Sequence, residues 1–180
     1  MRIAVYCSAS DNIPEAFLKQ GDRLGRWMAR NGHTLVYGGA TGGLMTRVSE
    51  AVRLNGGTII GVVPQRIILS GRKADGCNEL IEVQNMSERK QKMRELADVF
   101  ICMPGSFGTL DELFDVVASG TVGEHRKPCI IFNYRNYYTR LISLIEQMRR
   151  LKFIPQQEWY TPQFLKSLDE IFLTINTLTQ

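Results

Sequence analysis

Histidine is scarce in this 180-residue sequence: only His33 and His125 occur. The four cysteines, Cys7, Cys77, Cys102 and Cys129, form no C-x-x-C pair. A zinc site of the usual kind has little to draw on, so no metal is expected. Three of the cysteines lie in or at the end of apolar runs and read as small buried thiols of a reducing compartment. Long apolar runs are missing as well. None approaches the roughly 20 residues of a membrane span, and no signal-peptide core precedes the first strand-like run. These absences lead us to expect a cytoplasmic protein with no membrane partner. Neither sign of charge dominates: 22 Lys and Arg stand against 18 Asp and Glu, a net charge of +4 with a pI near 9.0. The basic residues are scattered, apart from short groups such as Arg89 with Lys90 and Arg149 with Arg150. Solvated faces are expected from them and no nucleic-acid partner, while an anionic metabolite suits the balance. Repeats and low-complexity segments are absent, and one domain over residues 1–180 is expected.

What is present centres on residues 97–117, ADVFICMPGSFGTLDELFDVV. An apolar run, residues 99–103, breaks at Pro104, Gly105, Ser106, Phe107 and Gly108. Helical spacing then starts at Thr109, with Leu110, Leu113, Phe114 and Val117. The pattern reads as buried strand, glycine loop, helix. Such a unit aims free backbone N–H groups and a helix N-terminus at one point, which favours a phosphate. Two carboxylates, Asp111 and Glu112, stand beside it. Glu112 reads either as an acid for chemistry or as a complement to the helix dipole. Asp111 reads as a helix-start residue. Phe107 either stacks on a base or packs the loop.

A second such unit lies upstream. A strand at 34–37 leads into GGATGG, with Gly38, Gly39, Gly42 and Gly43, and then a helix from about Leu44 to Asn55. It is neither a Walker loop nor a dinucleotide fingerprint, because the Gly-Lys-Ser/Thr end and the required glycine spacing are missing. The chain opens with a strand at 2–7 and a helix whose start is read from Asn12, Glu15 and Pro14. Phe17, Leu24, Trp27 and Met28 face inward along that helix, and Gly32 stops it. His33 reads as structural. Further strands are expected at 58–63, 79–83 and 128–132. Residues 64–78 read as a long loop of the kind that often forms a flap. Ser87 reads as the cap of a helix to Leu96, with Met93 and Leu96 inward. On it, Arg89 and Lys90 are either a solvated face or part of a site. Residues 119–127 read as a loop, 137–151 as an amphipathic helix, and Thr161 with Pro162 as the opening of a last helix. Strands and helices alternate, which predicts an α/β fold: a Rossmann-like, doubly wound parallel sheet with helices on both faces. Right-handed crossovers then put both glycine loops on one edge.

Three segments taken together, VYGGATGGLM at 36–45, MSERKQKM at 86–93 and MPGSFGTLDE at 103–112, resemble the LOG ("lonely guy") family of cytokinin-activating phosphoribohydrolases. That family carries P-G-G-x-G-T-x-x-E after an R-K-x-x-M helix, and many bacterial members have been labelled "possible lysine decarboxylase". The resemblance runs from residue 2 to about residue 155 and takes in the turn of Ser8, Ala9 and Ser10. It implies hydrolysis of the N-glycosidic bond of a purine nucleoside 5′-monophosphate, AMP or an N6-modified form, to free base and ribose 5-phosphate. By position it implies Arg89 and Glu112 as catalytic residues. Lys90, Gly105, Ser106, Phe107, Gly108 and Thr109 are implied to bind substrate, with Ser8, Gly38, Gly39, Gly42 and Gly43 lining the same cleft. It implies a homodimer, for which the helix at 87–96 and the helix from Thr109 are the candidate contacts, and it implies no cofactor. Four positions depart from the pattern. Ser106 replaces a glycine, Ser87 a common histidine and Ala118 a common threonine, while Asp75 and Glu79 are the nearest acids to one the family has in the 64–78 region.

The chemistry fits these residue types. Breaking a ribose C1′–N9 bond builds oxocarbenium character that a carboxylate beside C1′ stabilises, and the same carboxylate can direct a water. An arginine is always cationic and can hold the nucleotide or the departing base. A non-catalytic nucleotide sensor or carrier of the same fold is the alternative. Lysine decarboxylation requires a pyridoxal phosphate Schiff-base lysine, and no lysine here has a recognisable setting for one.

Overall fold

Every residue of β5 (Val99–Cys102) is buried, and β1 (Arg2–Tyr6) beside it is buried from Ile3 onward. A central strand must satisfy both faces, so apolar side chains appear without alternation. The computed structural model describes residues 1–155 and 160–178. Its further strands are β2 (Thr34–Tyr37), β3 (Thr58–Pro64), β4 (Glu79–Val83), β6 (Cys129–Phe132) and β7 (Gln163–Leu165). They form one seven-stranded sheet in the order β4-β3-β2-β1-β5-β6-β7, with each neighbouring pair parallel. The chain moves outward in one direction from β1 to β4 and then restarts on the other side at β5. The reversal lies between β1 and β5, and the crevice at their carboxyl ends is where sheets of this kind take ligands. The doubly wound parallel sheet is thus as the sequence implies.

Alternate residues of each strand feed two cores. Ile3, Val5, Val99 and Ile101 pack with α1 (Glu15–Arg30), α2 (Gly43–Leu54) and α7 (Leu168–Leu178) on one face. Ala4, Tyr6, Phe100 and Cys102 pack on the other, against α4 (Met86–Leu96) and α5 (Phe107–Thr121), with Leu141 of α6 (Thr139–Arg150) at its margin. The period of two in side-chain direction produces this division. Cys7, Cys102 and Cys129 are buried free thiols and Cys77 is half-buried. His33 is buried against Trp27 behind the end of α1, as expected of a structural residue. Among the described residues, no helix is long and apolar enough to cross a membrane.

Several local expectations are corrected. Helix α1 is capped by Pro14, with no side-chain cap bond, not by Asn12. The acids around it are used elsewhere: Asp11 accepts the Gly43 N–H at 2.8 Å, and Glu15 pairs with Arg47 of α2 at 2.9 Å. Helix α4 starts one residue before Ser87. Asn85 accepts the Glu88 N–H at 3.0 Å, and Glu88 accepts the Gln84 N–H at 2.7 Å, a reciprocal cap displaced from the expected one. The 64–78 segment is not all loop, since α3 (Gln65–Leu69) occupies its apolar patch. Helix α5 begins at Phe107, not Thr109, and runs through Ser119 and Gly120. A Cβ at Gly120 would lie 2.5 Å from the Tyr160 ring, so glycine there serves packing and not a turn. Residues 163–165, expected inside the last helix, pair with β6 as an edge strand. Ser167 and Glu170 then form the capping box that starts α7: Ser167 Oγ accepts the Glu170 N–H at 3.2 Å and Glu170 accepts the Ser167 N–H at 2.9 Å.

Candidate functional site

The loop after β5 extends the sheet by one bond, Met103 N–H to Tyr6 O at 2.8 Å, and then turns away. Each of its next carbonyls has a partner outside the turn. Met103 O accepts the Tyr138 hydroxyl at 2.8 Å and Pro104 O accepts the Ser8 N–H at 3.2 Å. Gly105 O accepts the Tyr137 hydroxyl at 2.8 Å and Ser106 O accepts the Leu110 N–H at 3.0 Å. The N–H groups of Ser106, Phe107, Gly108 and Thr109 donate to no acceptor among the described residues, while that of Gly105 faces the Tyr138 hydroxyl. Carbonyls tied back and N–H groups left free, at the N-terminus of a 15-residue helix, make an anion nest.

The side chains of the loop fit that reading. Gly105 is required because a Cβ there would lie 2.0 Å from Thr109 Oγ1. Thr109 is buried beneath the loop. Ser106 has φ −105° and ψ −152°, ordinary extended backbone, so serine replaces the family's glycine without strain. Phe107 is 90% exposed, which removes loop packing as its role. A Cβ on Gly108 would meet no atom within 4 Å.

The second glycine loop plays a different part. Its donors at the start of α2 are already used: Gly42 N–H goes to Thr46 Oγ1 at 2.7 Å and Gly43 N–H to Asp11 Oδ1 at 2.8 Å. With φ of 116° and 47°, both need the left-handed freedom of glycine, and they let the 8–10 turn approach. A Cβ at Gly43 would lie 2.2 Å from Ser10 O. Ser8 is buried, its hydroxyl accepting the Ser10 N–H at 3.1 Å and its carbonyl the Met45 N–H at 3.3 Å. Gly39 O accepts the Ala74 N–H at 2.9 Å and Thr41 N–H goes to Arg72 O at 2.9 Å, so the 64–78 segment is laced to this loop. Gly38 sits against α4: a Cβ there would lie 1.8 Å from Arg89 Nη2.

Arg89 is therefore no solvated residue. It is 7% exposed, its Nε donates to Val62 O at 3.2 Å, and its Nη1 stands 2.8 Å from Glu112 Oε1. Glu112 is 2% exposed. Burial pushes its carboxyl up to about 7 against the pull of Arg89, with Asp111 adding to the rise. A carboxyl in that range is poised to exchange a proton near neutrality. Tyr6 and Cys7 behind it are raised by burial first and by the Glu112 charge second, so they stay neutral. Lys90 turns to the α4–α5 seam, 2.8 Å from Asp111 and 3.6 Å from Asp115, and its bond to Asp111 raises its pKa. Asp111 is exposed, as expected of a helix-start residue. Asp75 and Glu79 are exposed as well.

The structure thus brings Arg89, Glu112, Gly38 and the 105–109 loop together. It ties Lys90 into the seam and uses Gly42 and Gly43 to shape the backbone. Sequence reasoning missed Tyr137, Tyr138 and Asp11. Their partners lie 32, 35 and 32 residues away along the chain, beyond any local pattern.

Comparison with known proteins bears on the family and the fold. A family model described as "Possible lysine decarboxylase" matches residues 45–175. A cytokinin riboside 5′-monophosphate phosphoribohydrolase of Rhodococcoides fascians is 39% identical over 145 residues, 80% of this chain and 73% of that one. One of Arabidopsis thaliana is 35% identical over 146 residues, 81% of this chain and 67% of that one. Among solved structures, the molybdenum cofactor binding protein of Rippkaea orientalis superposes with a TM-score of 0.75 at 20% identity, covering 99% of this chain and 97% of that one, a likeness of fold. Matched by the family model over most of its length and by relatives above one-third identity, the chain belongs to the LOG family.

Proposed function

We propose that this protein hydrolyses the N-glycosidic bond of a purine nucleoside 5′-monophosphate, AMP or an N6-modified adenosine form, to the free base and ribose 5-phosphate. The observation that carries this reading is the buried Arg89–Glu112 pair beside a loop with four free N–H donors. The nest takes the 5′-phosphate. Binding energy from that non-reacting group positions the sugar. The C1′–N9 bond breaks with its electron pair going to the base, and positive charge builds on the ribose. Ionised Glu112 stabilises that charge and accepts a proton from the water that bonds to C1′. The base leaves as an anion that takes up a proton. Arg89 keeps part of the Glu112 population ionised and offers its remaining donors to the nucleotide.

The exposed apolar surface supports self-association. Phe107 and Phe114 on α5 and Leu144 and Met148 on α6 are exposed, whereas α4 presents mainly charged residues outward. We assign the dimer contact to α5 and α6 and leave α4 at its margin, with light scattering as the measurement. The free thiols fit a reducing compartment, the cytoplasm.

The test of the reaction is product formation. Purified protein with AMP should release adenine and ribose 5-phosphate. Tight nucleotide binding without base release over hours would replace this reading with that of a carrier.

A further inference from the structure

The two tyrosines after β6 have no part in the reaction just described, yet both reach the phosphate loop. Asn133 Oδ1 accepts the Tyr138 N–H at 2.7 Å, and Asn133 N–H goes to Leu165 O at 2.7 Å, which anchors the turn to β7. Arg135 and Asn136 then adopt φ of 51° and 61°. Two successive non-glycine residues in the left-handed region are unfavourable and persist only where the surroundings impose them. The result is that Tyr137 and Tyr138 project to one side, their rings edge-on with centroids 4.9 Å apart. Tyr137 is braced by Phe17 of α1, centroids 6.0 Å apart. Their hydroxyls donate to the carbonyls of Gly105 and Met103, each at 2.8 Å.

We infer that Tyr137 and Tyr138 are positioning residues for the phosphate-binding loop, acting on the ligand's phosphate through the loop's backbone and not by contact. A peptide unit has one orientation: fixing its carbonyl outward fixes the next N–H inward. Tyr137 in this way holds the Ser106 N–H inward, whereas Tyr138 fixes the Met103–Pro104 peptide, which carries no N–H, and so anchors the point where the loop leaves β5. Between them Ser8 N–H holds the Pro104 carbonyl. Without the Tyr137 hydroxyl the Gly105 carbonyl is free to turn toward the anion, where its oxygen repels a phosphate and the Ser106 N–H is lost as a donor. Gly105 is the residue most able to make that turn, since glycine has the widest range of backbone angles.

The inference rests on the phosphate assignment made above, and the experiment separates the two. Ribose 5-phosphate and adenine are titrated by calorimetry into the full chain and into Tyr137→Phe and Tyr138→Phe. Phenylalanine keeps the ring contacts and removes only the hydroxyl. We expect the Kd for ribose 5-phosphate to rise roughly three- to tenfold, as for loss of one hydrogen bond, with the adenine Kd within about twofold. With AMP as substrate, KM should rise by the same factor and kcat should hold within about twofold. A merely structural role would weaken both ligands alike, and that result overturns the inference. So does an unchanged ribose 5-phosphate Kd in Tyr137→Phe, which decides alone if Tyr138→Phe does not fold. If the wild type binds ribose 5-phosphate but does not cleave AMP, the enzymatic reading falls while the tyrosine comparison still stands on its Kd values.

Discussion

Arg89 Nη1 lies 2.8 Å from Glu112 Oε1, and both side chains are nearly withdrawn from water. Either charge left alone at that depth is costly, so the two residues act as a unit. We expect Glu112→Gln to lower kcat for AMP hydrolysis at least about 100-fold, the scale of a lost acid–base group. Arg89→Ala should do the same, and the double variant should be little worse than either single one. Additive losses in steady-state kinetics would show that the two side chains work independently.

The raised carboxyl of Glu112 links activity and stability with opposite signs. In the folded chain it titrates near 7, against 4.5 for a free glutamate. Between those values the folded state keeps a proton that the unfolded chain releases, so this group's contribution to stability is greatest at low pH. It is lost as pH rises through about 7. Its carboxylate, the form the proposed reaction uses, appears as pH rises through about 7. Hence kcat/KM should climb through about pH 7, while the Tm of wild type falls relative to Glu112→Gln. Thermal melts of both proteins between pH 5 and 9, beside a pH–rate profile, check this. A rate already flat from pH 5 upward would assign the ionised form to the whole range and contradict the shift.

Part of this site is legible in the sequence because its logic is local. A buried strand, a Pro-Gly break and helical spacing suffice to locate residues 103–112, and the same logic locates β1 and β2. What the sequence hides is decided across the sheet. Strand β7 has three residues, and its pairing with β6 makes it a strand. Arg89 sits on a helix of mostly charged residues, and only the gap left by Gly38 tells that its side chain is drawn inward. The start of α4 is hidden because two signals compete: Ser87 and Asn85 are both good cap residues, and Glu88 three residues after Asn85 decides for the earlier one.

That gap yields the next expectation. Gly38→Ala puts a methyl group where Arg89 Nη2 now lies, 1.8 Å from the Cβ position. The guanidinium must move, which disturbs its bond to Glu112. We expect a loss of kcat approaching that of Arg89→Ala, with a fold destabilised by about 1–3 kcal/mol, as for other overpacked positions. Activity assays and thermal melts together check it, and wild-type turnover in this variant would mean that the pair tolerates displacement.

Gly108 is the converse case. Its Cβ would meet no protein atom within 4 Å, its φ lies outside the left-handed region, and it stands in the first turn of α5. Alanine there removes unfolded-state freedom, which should raise stability by about 0.5–1 kcal/mol. The open space beside it belongs to the nest proposed for the phosphate, so the same methyl group should raise KM for AMP and the Kd for ribose 5-phosphate. Ser106→Gly supplies the control in the neighbouring position. Its backbone is already extended and its side chain makes no cap bond, so restoring the family's glycine should leave KM within about twofold and lower stability by no more than about 1 kcal/mol. A stabilised Gly108→Ala with unchanged phosphate affinity would move the anion away from the start of α5, and with it the reason for placing C1′ beside Glu112.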